Sequence, residues 1–199
     1  MNRLLAWPVA VAVVMLPGCH TKDQPSRGSS VTHEQEMTAE PSGATVVEVP
    51  LAARSGSALT GRAVLTEQRD GVHVVVEVAG ISPGKHGTHI HEDPDCSAPD
   101  AKSAGAHYNP EGHPHGLPSS DARHIGDLGN LVVGEDGEGR LDVVAPRASL
   151  RVGDPRSFVD RSIVVHAEPD DGSQPDGAAG ARIGCGEIRR DGRAVDLSR

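Results

Sequence analysis

The sequence predicts an all-β domain, an antiparallel sandwich or barrel of about eight strands. Short runs that are rich in valine, or that alternate between apolar and polar residues, recur from residue 44 onward. Turns rich in Gly and Pro separate these runs at fairly regular intervals. No stretch shows a convincing long helical period, and neither an internal repeat nor a second domain is visible.

The first half of the domain carries four predicted strands, at residues 44–51, 59–67, 72–79 and 85–92. Residues 69–71 read Arg-Asp-Gly, which predicts a hairpin turn between the second and third strands. The second half carries four more, at residues 128–133, 140–145, 162–167 and 182–189. Residues 134–137, Gly-Glu-Asp-Gly, predict another turn between the first two of these.

The N-terminus has the pattern of a secretory signal peptide over residues 1–18. One arginine precedes an apolar stretch at 4–16, which is too short to span a bilayer as a helix. Residues 16–19 read Leu-Pro-Gly-Cys and resemble a bacterial lipobox, which predicts cleavage before Cys19 and a lipid on its sulfur. The alternative is an uncleaved helix, which two prolines in this segment disfavour.

The polar composition of residues 19–43 predicts a lipidated cysteine followed by a flexible tether. The domain itself is expected over residues 44–199. Acylation with more than one chain would anchor the protein stably to a membrane. We therefore expect export to the bacterial cell envelope or periplasm, as a membrane-attached lipoprotein.

The charge balance argues against a nucleic-acid partner. The formal net charge is −9, and the predicted signal peptide removes one arginine, which leaves about −10. Such an acidic chain repels phosphate backbones. Beyond the signal peptide the aromatic residues are Tyr108 and Phe158, too few to form a stacking platform for bases.

Seven of the eleven histidines fall between residues 86 and 127. His89 and His91 lie at the end of a predicted strand, where residues two apart point to the same face. Residues 93–123 form a long loop, and loops of this length are usually functional or disordered. Metal ligands in and after the loop would order it.

The candidate ligands fall into two groups. His115, His124 and Asp127 would supply three ligands to zinc, for which a carboxylate oxygen is an accepted partner. His89 and His91 would supply two ligands to a second ion, since imidazole suits both zinc and copper.

Two further histidines complete these groups. His107 lies between them in sequence, and an imidazole can bind one metal through each nitrogen. His166, on a later predicted strand, is another candidate. No Met or free Cys lies near these histidines, which argues against a blue-copper electron-transfer site.

Five motifs, in order, closely resemble those of the Cu/Zn superoxide dismutase family. They are HGTHIHE at 86–92, GAHYNP at 105–110, RHIGDLGN at 123–130, IVVH at 163–166 and GARIGCG at 180–186. A single HxH pair would be weak support, whereas the ordered set is strong. The resemblance covers roughly residues 44–190 and implies an eight-stranded Greek-key β-barrel or sandwich with long metal-binding loops.

The resemblance also implies an enzyme that converts superoxide to dioxygen and hydrogen peroxide with copper and zinc. The implied copper ligands are His89, His91, His107 and His166. The implied zinc ligands are His107, His115, His124 and Asp127. His107 would bridge the two ions in the oxidised state, then leave copper and take up a proton when copper is reduced.

Arg182 occupies the position of the family's anion-guiding arginine. Asp170 occupies the position of an aspartate that accepts hydrogen bonds from a copper and a zinc histidine, here expected to be His89 and His115. The neighbouring Asp171 is the alternative.

The cysteines fit the same picture. With Cys19 assigned to lipid, Cys96 and Cys185 remain, and in an exported protein a disulfide is the default. This pair matches the intrasubunit bridge of the family. It would tie the 93–123 loop to the strand that follows Arg182.

Other histidines carry no implied ligand role. His73 matches no motif, and His86 is expected to pack behind the copper strand. His113 is either solvated or a neighbour of the zinc site. The 168–181 segment departs from the better-known eukaryotic members, because it is short and acidic and holds no Lys or Arg. Steering of superoxide would have to come from elsewhere, so we expect a slower or less salt-sensitive association step.

The main alternative is a protein of the same fold that buffers copper or zinc without useful turnover. The guiding arginine and the complete bridging set favour the enzyme, because storage needs neither. A plain adhesion or ligand-binding module would show scattered histidines instead. The sequence leaves open whether the domain is a monomer or a homodimer.

Overall fold

The computed structural model describes residues 44–190, which form one closed barrel of eight strands. The strands are β1 (Val46–Ala53), β2 (Thr60–Gln68), β3 (Gly71–Ala79), β4 (Gly84–His91), β5 (Asp127–Val133), β6 (Gly139–Pro146), β7 (Arg161–His166) and β8 (Arg182–Ile188). A short 3₁₀ turn, Lys102–Ala104, lies in the loop between β4 and β5. No helix among the described residues has the length and apolar character needed to cross a membrane.

The strands close in the order β1-β2-β3-β6-β5-β4-β7-β8, and all neighbouring strands are antiparallel. Because β6 rather than β4 lies beside β3, the chain crosses over in Greek-key fashion. Closure removes free sheet edges. The predicted all-β Greek-key barrel is confirmed.

The strand boundaries lie within two residues of those predicted from the alternating pattern. The hairpin predicted at residues 69–71 is present, since Gln68 pairs with Gly71 across a two-residue turn. Strands with one face in the core and one in solvent give a period-2 signal. In β3, for example, buried and half-buried residues alternate from Val72 to the end of the strand.

The barrel interior is filled by aliphatic side chains from every strand, together with residues from the loops between them. Fully buried members include Val49, Leu65, Val74, Leu131 and Phe158. Burial of a side chain of this size stabilises the fold by roughly 1.5–3 kcal/mol. The core thus supports a rigid scaffold for the loops outside it.

Two adjacent strands, β4 and β7, are buried on both faces. On β4, Ile90 belongs to the barrel core, so the flanking His89 and His91 point to the opposite face. Both histidines are nonetheless fully buried, because the long loops cover that face. The candidate site therefore lies between the outer face of β4 and β7 and the loops.

The predictions for residues 1–43, including the signal peptide and lipidation of Cys19, lie outside the described residues.

Candidate metal centre

The first ligand group is built on paired strands. His89 and His91 lie on β4, opposite Val164 and Ser162 of β7, and His166 ends β7. The ring centroid of His166 lies 4.9 Å from that of His89 and 5.6 Å from that of His91. Three imidazoles therefore converge on one point from two adjacent strands.

The long loop brings the fourth imidazole to the same point. The backbone of the loop pairs with the end of β4, where Tyr108 N donates to Ile90 O at 2.8 Å and His107 forms a bridge with His91. The His107 ring lies 4.0 Å from the His89 ring and 4.9 Å from the His91 ring. A ligand atom from each of these three residues and from His166 falls within 4.8 Å of the others.

The second group surrounds the carboxylate of Asp127, the first residue of β5. His115 Nδ1 lies 3.0 Å from its Oδ2 atom, and the Nδ1 atoms of His107 and His124 each lie 3.2 Å from its Oδ1 atom. The four residues have ligand atoms within 4.8 Å of one another. Since His107 belongs to both groups, its two ring nitrogens face different sets of ligands.

Hydrogen bonds orient the three strand-borne imidazoles. His89 Nε2 donates to Asp170 Oδ2 at 2.9 Å, His91 Nδ1 to Gly105 O at 3.0 Å and His166 Nδ1 to Gly180 O at 3.3 Å. Carboxylates and carbonyls only accept hydrogen bonds, so these nitrogens carry the protons. The opposite nitrogen of each neutral ring therefore holds a lone pair.

Those lone pairs have no hydrogen-bond partner. His89 Nδ1, His91 Nε2 and His166 Nε2 are buried and unsatisfied in the described protein. Buried polar atoms nearly always have a hydrogen-bond partner, so three unpaired imidazole nitrogens that face one another require an explanation. A copper ion fits, because imidazole nitrogens are among its preferred ligands.

The same argument applies to the second group. His115 Nε2 donates to Asp170 Oδ1 at 2.9 Å, which leaves a lone pair on Nδ1 facing the Asp127 carboxylate. His115 Nδ1 is also buried without a hydrogen bond. Two lone pairs that face each other at 3.0 Å repel unless a cation or a proton lies between them. Three imidazoles and one carboxylate match a tetrahedral zinc site.

Burial sets the protonation of the strand-borne imidazoles. It lowers the pKa of His89 to about 4, against the opposing effect of Asp170, and the pKa of His166 to about 3. It also holds the pKa of His91 well below its usual value. All three rings are neutral at pH 7 and can bind metal without first losing a proton.

The carboxylate side of the site is ionised. Burial acts to raise the pKa of Asp127, but the three imidazoles around it, those of His107, His115 and His124, outweigh burial and hold that pKa far below the usual range. Burial acts to lower the pKa of His115, yet Asp127 and Asp170 raise it to about 9. The surroundings of the buried, ionised Asp127 carboxylate therefore favour a positive charge beside it.

Asp170 links the two groups, as the sequence led us to expect. Its two oxygens accept from His89 and His115, and its backbone is fixed by Asn130, which donates to Asp170 O at 2.9 Å and accepts from Asp170 N at 2.8 Å. The alternative, Asp171, is exposed and accepts from Ser173 N instead. Asp170 is the residue in contact with the site.

Arg182 begins β8 and is half-buried beside the first group. Its Nη1 and Nη2 atoms each donate at 2.8 Å, to Ala101 O and Gly105 O. Gly105 O also accepts from His91, so one carbonyl holds both a candidate ligand and the guanidinium. Arg182 lines a cavity of about 840 Å³ together with His107 and His166.

A disulfide joins Cys96 to Cys185, as predicted. Both sulfurs are buried against Ala101, Ala104 and Val164. The bridge fixes the loop before His107 to β8. The carbonyls that hold Arg182 lie in that same loop.

With this geometry established, comparison with known proteins decides the family. The family model described as copper/zinc superoxide dismutase matches residues 59–188. The chain belongs to the copper/zinc superoxide dismutase family. It is accordingly an oxidoreductase that uses copper and zinc.

Individual relatives agree with this assignment. A Cu-Zn superoxide dismutase from Caulobacter vibrioides is 43% identical over 135 residues, which cover 65% of this chain and 78% of the relative. A double mutant of a SOD-like protein from Bacillus subtilis has a TM-score of 0.65 and 36% identity, over 72% of this chain and 97% of its own. The clock protein EA4 has a TM-score of 0.65 and 34% identity, over 77% and 99%.

The remaining histidines lie outside both groups. His113 faces Glu111, with its Nε2 atom 3.4 Å from the carboxylate, and is not a member of the group around Asp127. His73 pairs with Asp142 on the barrel surface at 2.7 Å. His86 bonds to His166 O at 2.8 Å and to Ser82 O at 3.0 Å, which agrees with its expected packing role.

Several supporting contacts were not evident in the sequence. Gln174 holds the backbone of His115 through two hydrogen bonds, from His115 N at 3.0 Å and to His115 O at 2.8 Å. Asn130, part of the RHIGDLGN motif, fixes Asp170. The carbonyls of Gly105 and Gly180 have no sequence signal, since any residue carries one.

Proposed function

We propose that this enzyme dismutates superoxide in the bacterial cell envelope, and that the residues described above are its metal ligands and substrate guide. One observation carries the assignment. Four buried imidazole nitrogens without hydrogen-bond partners, on His89, His91, His115 and His166, point into two ligand sets that share His107. Such an arrangement suits two different metals joined by one imidazole.

Copper, when bound, supplies one-electron exchange between its +2 and +1 states, and zinc supplies a fixed positive charge beside it. His89 would bind copper through Nδ1, and His91 and His166 through Nε2. The nitrogen left over on each ring is already committed to a hydrogen bond. Those bonds lock the tautomer and the ring orientation before metal arrives.

His107 has the geometry of a proton carrier. Its Nδ1 atom faces Asp127 and the zinc set, which leaves Nε2 directed at the copper set. Nε2 is therefore the atom that would hold a proton and deliver it to the reduced oxygen species. Two superoxide anions and two protons yield one dioxygen and one hydrogen peroxide, so proton delivery must accompany electron transfer.

Arg182 has the geometry of a substrate guide. Two of its nitrogens are fixed by backbone carbonyls, so the guanidinium is held rigidly at the cavity wall. Burial lowers the pKa of Arg182 from its usual value, but arginine remains charged at pH 7. It would orient a small anion beside His166 and His107, which line the same cavity.

The proposed location in the cell envelope is supported by the sequence of residues 1–43. The signal-peptide and lipobox patterns support export and attachment at Cys19. An enzyme placed there would remove superoxide at the envelope. Fractionation of cells, with Cys19→Ser as the control that abolishes lipid attachment, tests this location.

The function is tested on the purified chain from residue 20 onward. We expect about one copper and one zinc per chain by mass spectrometry of metals, together with cyanide-sensitive dismutation. Zinc alone, with no activity after copper is restored, would favour the metal-buffering alternative.

Replacement of Arg182 by Ala separates catalysis from storage. Loss of a charge-assisted contact worth about 1.5–3 kcal/mol predicts a drop in kcat/KM of roughly 10- to 100-fold, with metal content unchanged. Arg140→Ala, on the barrel surface where it pairs with Glu77 and Asp142, is the matched control and should leave the rate unaltered. Equal rates for the Arg182→Ala variant and the parent enzyme would remove Arg182 from the mechanism.

A further inference from the structure

Tyr108, the residue that follows His107, is held at its backbone, its hydroxyl and its ring. Its N–H donates to Ile90 O at 2.8 Å, and its hydroxyl donates to Pro155 O. Its ring packs edge-on against Phe158, with the two ring centroids 6.3 Å apart. Because His107 lies in a loop, the position of its imidazole depends on how firmly this neighbour is held.

One face of the Tyr108 ring is covered by Arg161, the first residue of β7. The Cζ atom of the arginine lies 4.3 Å from the ring centroid, within the range of a cation–π contact. Its Nη1 atom donates to Glu92 O at 3.1 Å and to Asp160 O at 2.9 Å. Its Nε atom is buried and makes no hydrogen bond in the described part of the chain. One aromatic face and two backbone carbonyls therefore hold the guanidinium.

Arg161 differs in this respect from arginines on the barrel surface. Arg140 and Arg151, for example, pair with the carboxylates of Glu77 and Glu67 at 2.6 Å and 2.7 Å. Among residues 44–190, no carboxylate forms an ion pair with Arg161. A guanidinium is planar and stacks on aromatic rings, so this half-buried one restrains the ring beneath it.

The contacts of Arg161 reach the chain next to two candidate ligands. Glu92 follows His91, and Tyr108 follows His107, so the guanidinium touches the residue after each of them. Arg161 and His107 also line a common cavity of about 360 Å³. The influence of the arginine on the imidazole therefore passes through Tyr108 rather than through a hydrogen bond.

We propose that Arg161 is a positioning residue for the reaction. It clamps the ring of Tyr108 and the carbonyl of Glu92. In doing so it sets where the His107 imidazole lies relative to His91, and hence how the two ligand groups are joined. The inference rests on the proposed function and adds a side chain that belongs to neither group.

The test compares variants of Arg161 in the enzyme loaded with copper and zinc. We expect Arg161→Ala to lower kcat/KM about 3- to 30-fold, the range that corresponds to loss of a partly buried cation–π contact. The electron paramagnetic resonance spectrum of the bound copper should change with it, because one of the four imidazoles shifts. Arg161→Lys keeps a cation over the ring and should restore the parent spectrum and a rate within about threefold of the parent.

Arg189→Ala is the matched control. Arg189 also holds a carbonyl of the long loop, that of Pro94 at 2.7 Å, but the cation over the Tyr108 ring is Arg161. This variant should leave the copper spectrum and the rate unaltered. The proposal is wrong if the control changes the spectrum as much as Arg161→Ala does, if Arg161→Ala has the parent spectrum, or if lysine restores nothing.

Zinc affinity decides the inference without turnover. His107 is one of four candidate zinc ligands, so Arg161→Ala should weaken zinc binding to the copper-free protein about tenfold, as measured by competition with a chelator. Arg161→Leu keeps apolar packing over the ring without the charge and should show the same loss, which provides the comparison if alanine impairs folding. Parent-like zinc affinity in the folded variants would overturn the inference. A parent enzyme that binds both metals but does not dismutate superoxide would refute the proposed function, while the zinc affinities would still decide the role of Arg161.

Discussion

Gly177 packs closely against Asp170 and His115 in the loop that covers the two ligand groups. A Cβ atom at this position would contact Asp170 Oδ1 and would lie only 2.7 Å from both Asp170 Cγ and His115 Nε2. Its φ angle is +77°, in the left-handed region. We predict that Gly177→Ala breaks the Asp170–His115 hydrogen bond, because Asp170 is also held by His89 and Asn130 and His115 belongs to the group around Asp127.

The magnitude has two parts. Alanine at a positive φ costs roughly 1–2 kcal/mol of folding stability at any such site. Displacement of a carboxylate that orients a metal-binding histidine weakens metal affinity by about 10- to 100-fold, or roughly 1.4–2.7 kcal/mol. We expect the second part to fall on zinc, since His115 lies on a loop, whereas His89 is fixed on β4 by pairing with two strands.

Gly153→Ala isolates the first part. Gly153 also has a positive φ, of +85°, but a Cβ atom there would meet nothing within 4 Å. The assay is competition for zinc against a chelator, with the melting temperature of each metal-free variant measured in parallel. Gly153→Ala should lose stability only. If both variants bind zinc as the parent enzyme does, or lose it equally, the steric argument fails.

Two further predictions concern the same residues. Asp170→Ala should weaken zinc binding by about 10- to 100-fold while Asp171→Ala leaves it unchanged, as measured by chelator competition; equal losses would contradict the assignment of Asp170. The metal-free protein should lose stability as the pH falls from 6.5 toward 4, because burial lowers the folded-state pKa values of His89 and His166 to about 4 and about 3. The unfolded state binds more protons in that window, which costs up to about 1.4 kcal/mol per pH unit for each histidine. His115 acts oppositely, through a raised pKa of about 9, so its contribution is complete below 6.5 and is lost as the pH rises toward 9. Calorimetry of the metal-free protein between pH 4.5 and 9 checks both signs, and a melting temperature independent of pH would refute the argument.

The barrel strands could be predicted because each buries one face or two, and both patterns are visible in sequence. In β3, buried and half-buried residues alternate from Val72 onward; the strand begins one residue before the predicted start and ends where predicted. β4 was located in the same way, although loops bury its outer face. The alternation of apolar and polar residues along a strand depends on which of its faces meets the core. Every strand of the barrel has one face toward the interior, so every strand carries a readable pattern.

The ligand groups were predictable for a different reason. His89 and His91 share a face because strand geometry alone requires it. The placement of His107 and His115 by the long loop depends on pairing with Ile90 and on contact with Gln174, and neither is a local property of the sequence. Resemblance to the family supplied these positions where periodicity could not.

The contacts that orient the ligands were the hardest to predict. His91 and His166 are fixed by the backbone carbonyls of Gly105 and Gly180. The fold brings these carbonyls near the imidazoles, and no side-chain type in the sequence indicates that it does so. The choice between Asp170 and Asp171 likewise depended on Asn130, on β5, which holds the backbone of one and not of the other. Tertiary pairing therefore decides the tautomers, and the tautomers decide which nitrogens remain for metal.

The two ligand groups differ in how they are supported, and this difference has a mechanistic consequence. The copper set is mostly strand-borne, since His91 and His166 end β4 and β7 and His89 lies two residues before the end of β4. The zinc set is mostly loop-borne and surrounds one carboxylate. His107 belongs to both, so its position relative to the strands depends on the loop. A cation bound at Asp127 would thus fix the imidazole that we propose as the proton carrier, and this would give an ion without redox chemistry a role in the site.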